Sequence, residues 1–169
     1  PANRPAAAQG HGWTVYDAAG IRILVMNLLG TVFMEPLASP FETADAILEK
    51  CRGGYDVALV DFHAEATSEK LALARYLTGR VSAVWGTHTH VATADCRILG
   101  GHTGFITDLG MVGSADGILG VKSEAVLHKF LVKTPVRFET EHGNEGASGA
   151  LFTVDCESGK CISAESVSF

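Results

Sequence analysis

Val57-Ala58-Leu59-Val60-Asp61-Phe62-His63 and Val81-Ser82-Ala83-Val84-Trp85-Gly86-Thr87-His88-Thr89-His90 decide how this chain folds. Each opens on a short continuous apolar run rich in β-branched residues, the pattern of a strand buried on both faces. Between them, Ser68 to Leu77 reads as a helix ended by Thr78-Gly79, where glycine supplies the left-handed residue that closes a helix. Strand, helix, strand in that order is a βαβ unit, with parallel strands and a right-handed crossover. Both strands therefore finish on the same edge of a sheet, and each delivers histidine there.

Outward from this unit the chain keeps an α/β pattern. Upstream, Trp13–Tyr16 and Ile21–Met26 read as strands joined by a turn at Asp17-Ala18-Ala19-Gly20. Gly30 to Pro40 reads as a loop, and Thr43 is the expected cap of a helix running to about Cys51. Downstream, Gly104–Thr107 is a short strand entering Asp108-Leu109-Gly110-Met111. Ser123 is expected to cap a helix through about Phe130, and three strands follow at Val136–Thr140, Gly149–Asp155 and Cys161–Val167. The last two flank Glu157-Ser158-Gly159-Lys160, a hairpin signal.

Composition narrows the function classes. The 169 residues carry 13 Lys+Arg against 19 Asp+Glu, a formal charge of −6, which excludes a nucleic-acid binder that depends on neutralising phosphates. With 47% hydrophobic and 19% charged residues the chain is globular and of single-domain size. No apolar run approaches the roughly 18 residues that cross a bilayer. Cys51, Cys96, Cys156 and Cys161 form no C-x-x-C pair, and four scattered thiols read as reduced and cytoplasmic. Cys156 and Cys161 flank a turn, leaving a disulfide across a hairpin as an alternative. The chain starts at Pro1 without a Met, so its start is processed or it is part of something longer, and residues 1–12 read as an extended loop without a signal peptide.

Three of seven histidines, His63, His88 and His90, sit at strand carboxyl ends, where open α/β sheets place their ligands. His88 and His90 are spaced i, i+2, so in an extended stretch both rings point to one side. Three neutral nitrogens converging there suit Zn, Mn, Fe or Ni. Asp61 either orients a ligand histidine or caps the following helix, and Asp108 either lines the pocket or ends a strand. Glu65 and Glu69 read as first-turn helix residues that favour the dipole. His11, His102, His128 and His142 lack such company. Ser68 and Ser114 have no evident base, which argues against a serine hydrolase, and no G-x-x-x-x-G-K-[ST] loop occurs.

Gly86-Thr87-His88-Thr89-His90 resembles the terminal G-H-x-H signature of calcineurin-like metallophosphoesterases. With Asp61-Phe62-His63-Ala64-Glu65-Ala66-Thr67-Ser68-Glu69-Lys70, Ala94-Asp95, Arg97-Ile98-Leu99, Ile106-Thr107-Asp108 and Asp116-Gly117-Ile118-Leu119-Gly120, the chain is similar to the bacterial YmdB-like 2′,3′-cyclic-nucleotide 2′-phosphodiesterases. The likeness runs from Pro1-Ala2-Asn3 to near the C-terminus and is densest from Asp61 to Gly120. It implies an α/β/β/α sandwich and metal-dependent hydrolysis of 2′,3′-cyclic or other cyclic nucleotides. Two transition metals (Fe, Mn or Zn), about 3.5–4 Å apart, would clamp the phosphoryl oxygens. His63 and His88 would ligate one and His90 the other, with Asp61, Thr89 and Asp108 in a supporting shell or pocket. In the family an upstream half supplies a first-strand Asp, a Glu-Asn pair and a Gly-Asn-His motif that carries the catalytic histidine. This sequence holds none of them, and His142-Gly143-Asn144-Glu145 reads as a turn. The expectation is that residues 1–169 are the C-terminal portion of one metallophosphoesterase domain, with an incomplete metal site, inactive alone.

Two other readings stand beside this one. The first is a capsule-synthesis type of metallophosphoesterase-like protein. The second is a truncated, non-catalytic metal-binding or assembly domain. A parallel sheet missing upstream strands would expose an apolar edge, from which a homo-oligomer is expected. The expected partner is otherwise a small phosphodiester or nucleotide, with no membrane and no sequence-specific nucleic acid.

Overall fold

A computed structural model describes residues 1–169. In chain order the elements are β1 (Trp13–Ala18), β2 (Ile21–Leu29), α1 (Pro40–Lys50), β3 (Val57–His63), α2 (Thr67–Leu77), β4 (Ala83–Thr87), β5 (Arg97–Leu99), β6 (Thr103–Ile106), β7 (Val112–Ser114), α3 (Ser123–Val132), β8 (Glu145–Asp155) and β9 (Lys160–Ser168). Six strands form one sheet in the order β1-β2-β3-β4-β6-β5, and β7-β8-β9 form a second. β2, β3, β4 and β6 are mutually parallel, whereas β1 and β5 close the two edges in antiparallel pairs. The fold is mixed α/β, and the βαβ unit of β3, α2 and β4 lies at its centre.

Alternation along β2, β3 and β4 sorts the two faces of the large sheet. Leu24, Met26, Leu28, Ala58, Val60, Phe62 and Val84 are buried on one face and share a core cluster with Ala44, Ile47 and Leu48 of α1 and Leu73, Ala74 and Leu77 of α2. The other face carries register rows such as Asn27–Asp61–Trp85 and Val25–Leu59–Ala83. The small sheet covers this face only at the β5–β6 side. A methyl group on Gly104 would lie 2.5 Å from the Phe152 ring and 2.8 Å from Cys161 Sγ, so glycine lets the two sheets close. Toward β2, the side chains of Ile23, Val25, Leu59 and Trp85 are half-buried.

Several boundaries differ from the sequence reading. α1 begins a turn earlier than expected: the Glu42 N–H donates to Ser39 Oγ (3.3 Å), and Pro40 occupies the first turn, where a missing N–H is harmless. Val136–Thr140 forms no strand, and only Thr140 bridges to Val121. Strands β5 and β7, three residues each, were too short to leave a periodic signal. All four cysteines are free. In the β8–β9 register Cys161 faces Val154, whereas Cys156 lies in the turn, so the two do not meet across the hairpin. The parallel strands expose no apolar edge, because β1 pairs along β2; the sheet leaves a face half open instead. The N-terminal segment is a loop, anchored at Asn3, whose amide donates to the Leu29 carbonyl (2.8 Å) and accepts from the Leu29 N–H (2.9 Å). No helix is long and apolar enough to cross a membrane.

Candidate functional site

His63 ends β3, and Thr87 ends the neighbouring β4 directly opposite it in the register. Across that pair His63 Nδ1 lies 3.0 Å from Thr87 Oγ1. One residue on, His88 brings its Nδ1 to 3.1 Å from His63 Nε2, and the two rings stand nearly perpendicular at 73°. The far side of the His88 ring is held by Glu65, whose Oε2 lies 2.7 Å from His88 Nε2. Two imidazoles from adjacent strand ends thus face each other, each tied by an oxygen on its outer nitrogen.

The tautomers follow from those oxygens. A carboxylate only accepts, so Glu65 fixes the proton of His88 on Nε2 and leaves the Nδ1 lone pair aimed at His63. With Thr87 donating to Nδ1, His63 carries its proton on Nε2 and donates to His88. With Thr87 accepting, the proton sits on Nδ1 and two lone pairs point at one spot. Two nitrogens bound to one ion at about 2.0–2.1 Å stand roughly 3 Å apart, so the observed separation suits a shared cation. Burial, then the neighbouring His88, push the His63 pKa below its ordinary value and favour the neutral form that ligates.

His90 is not part of this pair. The sequence expectation assumed an extended stretch, but His88 has φ +126° and His90 φ +63°. The chain turns there, the i, i+2 rule lapses, and His90 is exposed. No group of three or more His, Cys, Asp or Glu side chains converges as a metal-holding cluster. The facing pair therefore fits two nitrogen ligands of one metal site.

The supporting residues fall in places the sequence left open or misread. Asp61 neither caps α2 nor holds a histidine. It accepts from Asn27 Nδ2 (2.8 Å), and its Oδ1 is buried without a partner. Glu65 precedes α2, which starts at Thr67 after an Ala66 cap, and so is free to reach His88. Glu69 lies in the first turn of α2 but points inward. Its carboxylate accepts from the Thr31 N–H (2.9 Å) and the Val32 N–H (3.2 Å), fixing the loop after β2. Thr89 donates its N–H to Asp108 Oδ2 (2.9 Å), and Asp108 is wholly buried against Lys70, whose Nζ is also 2.9 Å away. Burial opposes ionisation of Asp108, but bonds from Lys70, Thr89 and Gly110 outweigh it and hold the carboxyl below its usual pKa. His142-Gly143-Asn144 is a turn, with positive φ at Gly143 (+95°) and Asn144 (+46°). His128 reaches only Thr134.

The model of the YmdB-like proteins matches residues 1–167. The chain belongs to the YmdB-like family. It is 45% identical over 167 residues to the Bacillus subtilis 2′,3′-cyclic-nucleotide 2′-phosphodiesterase, covering 99% of this chain and 63% of that protein. Among solved structures, a hypothetical protein from Thermus thermophilus superposes with a TM-score of 0.94 at 38% identity, covering 100% of this chain and 66% of that one. A Mycoplasma pneumoniae protein described as a novel phosphatase gives 0.91 at 32% identity, covering 100% of this chain and 62% of that one. This YmdB-like chain thus spans less than two thirds of the length of each of these relatives.

Proposed function

We propose that this chain carries one side of the active centre of a metal-dependent phosphodiesterase acting on 2′,3′-cyclic nucleotides or related small phosphodiesters. The observation that carries the reading is the facing pair His63 Nε2 and His88 Nδ1, 3.1 Å apart at the carboxyl ends of adjacent parallel strands. The family and its Bacillus subtilis relative supply the reaction class and favour it over capsule synthesis. His63 and His88 would hold one of the metals, and His90 would join a second ion through residues beyond this pair. A divalent ion so held would lower the pKa of bound water and draw an anionic phosphodiester to a net-acidic protein. Glu65 keeps the His88 proton on Nε2, so Nδ1 stays a ligand. Thr87 Oγ1 accepts a hydrogen bond from His63 Nδ1–H, which keeps the proton on Nδ1 and leaves the Nε2 lone pair free.

The half-open sheet face supports a second part of the proposal: residues 1–169 form the C-terminal portion of one metallophosphoesterase sandwich. Ile23, Val25, Leu59 and Trp85 are half-buried there, and Asp61 Oδ1 on the same face lacks a donor. That is the chemistry of a surface built to be covered.

The test uses a protein that carries this chain within the full length of its relatives. His88→Ala should abolish turnover of bis-p-nitrophenyl phosphate and of 2′,3′-cyclic nucleotides. Glu65→Gln should slow it roughly 10–100-fold through loss of the oriented tautomer. Undiminished turnover by His88→Ala overturns the reading.

A further inference from the structure

We propose that Lys70 and Asp108 are positioning residues: a buried ion pair that sets the backbone of the His88–Thr89–His90 turn and so aims His88 at His63. The inference rests on the phosphodiesterase reading only for what the turn holds, not for how the turn is held.

Lys70 is 1% exposed and Asp108 is fully buried. Taking both charges out of water is costly, and apolar replacements of similar shape are often as stable, so stability alone is a weak reason for the pair. The geometry gives another. Asp108 Oδ2 accepts from Lys70 Nζ (2.9 Å) and from the Thr89 N–H (2.9 Å), while Oδ1 accepts from the Gly110 N–H (2.9 Å). Its own N–H donates to Thr93 Oγ1 (3.0 Å), and its carbonyl accepts from the Thr93 N–H (3.1 Å). Only a carboxylate offers acceptors on both oxygens at once.

The one amide of the turn that Asp108 grips lies between two residues in an uncommon conformation. His88 at φ +126° and His90 at φ +63° occupy backbone regions that residues with a Cβ avoid unless the surroundings impose them. Lys70 explains why the grip comes from this direction. It lies on α2, the helix that leaves the His63 strand end through Ala64-Glu65-Ala66, and its stem passes Gly86, where a methyl group would meet Lys70 Cδ at 2.8 Å. One helix therefore starts beside the first histidine and braces the turn that carries the second.

The test compares Asp108→Asn and Lys70→Met with Leu73→Ala, which weakens the core face of the same helix and removes no hydrogen bond to the His88–His90 turn. Two quantities are read on a protein that carries this chain within the full length of its relatives: hydrogen exchange of the Thr89 amide by NMR, and affinity for Co²⁺ by visible absorption. In Asp108→Asn and Lys70→Met, Thr89 should exchange about tenfold or more faster than the loss of global stability accounts for. Co²⁺ should bind about 10–100-fold more weakly in the same variants. Leu73→Ala should move Thr89 exchange only with global stability and leave Co²⁺ affinity within about twofold. Equal changes in Leu73→Ala and Asp108→Asn overturn the proposal. If the wild-type full-length protein takes up no Co²⁺, the ligand reading fails, and Thr89 exchange still decides the positioning role. If both charge variants fail to fold, the wild-type decides: a Thr89 amide exchanging as freely as an open loop refutes the grip, and one protected like the strand amides of Val60 and Val84 supports it.

Discussion

Replacing Gly86 with alanine should be among the most damaging small changes in this chain, although alanine is ordinarily harmless in a strand. The added methyl would stand 1.8 Å from the Thr107 carbonyl oxygen and 2.8 Å from both that carbonyl carbon and Lys70 Cδ. Ordinary contact begins at 3.4 Å, so the approach must open by about 1.6 Å (3.4 − 1.8). Thr107 meets it with backbone, which has no rotamer to yield. The displacement also pulls on the Leu109 N–H bond to the Gly86 carbonyl (2.9 Å) and on the Val84–Phe105 and Trp85–Ile106 register. Overpacking of about 1–3 kcal/mol and one weakened buried hydrogen bond of about 1 kcal/mol sum to roughly 2–4 kcal/mol. Gly20→Ala is the contrast: that glycine has φ +88° but nothing within 4 Å, so it carries only the left-handed penalty, about 1–2 kcal/mol. Urea unfolding followed by tryptophan fluorescence measures both. With a slope of about 2 kcal/mol per molar, Gly86→Ala should lower the midpoint by roughly 1–2 M and Gly20→Ala by roughly 0.5–1 M, so that the first exceeds the second. A chain that fails to fold as Gly86→Ala but folds as Gly20→Ala gives the same answer. Equal shifts, or a Gly86→Ala midpoint near wild type, refute the steric argument.

Three further outcomes are expected. Hydrogen bonds from the Arg22 side chain and N–H hold the Asp56 carboxyl down at about 2, against an ordinary 3.8. A carboxyl lowered in the folded state adds stability above its unfolded value and loses it as pH falls through the folded one, so Asp56→Asn should flatten the loss of stability between about pH 4 and 2. An unchanged acid slope counts against the pair. Ser39→Ala should cost about 0.5–1 kcal/mol as the loss of a helix cap, and Thr43→Ala should cost less; the reverse order would return the cap to Thr43. Iodoacetamide should label Cys156 in the native chain, while buried Cys51 and Cys161 react only on unfolding; an intact mass short of the two hydrogens lost to a disulfide would contradict four free thiols.

What was legible in the sequence was what period and punctuation encode. The βαβ unit announced itself through two apolar runs and a glycine-stopped helix, and the parallel register then brought His63 and Thr87 opposite each other. Thr87 and Glu65 were harder to see, because their importance lies in which ring nitrogen they hold, and that depends on distances across strands. Short β5 and β7 left no pattern to count. The expected convergence of His90 with His88 lapses for a local reason: the i, i+2 rule belongs to extended backbone, and two positive φ values break it.

One signal for the missed ion pair was present in the sequence. The buried stripe of α2 is Lys70, Leu73, Ala74 and Leu77, at the i, i+3, i+4, i+7 spacing of a core face, with a lysine where the period asks for an apolar residue. Glu69 beside it is buried as well. Two adjacent opposite charges on one helix turn invite the reading of a solvated surface pair, yet they serve different loops: Glu69 ties Thr31 and Val32, and Lys70 ties Asp108. Gly30 at the head of the first loop donates its N–H to the His63 carbonyl (2.9 Å), and the second loop holds the turn after His88 through Thr89. A helix that buries both charges can therefore fix the two histidine-bearing strand ends relative to each other, to the tenths of an ångström on which an imidazole pair depends. Apolar packing alone, which tolerates volume-conserving repacking, specifies such a distance less sharply than hydrogen bonds with fixed directions. The charge at position 70 is thus better explained by the geometry it imposes than by the stability it adds.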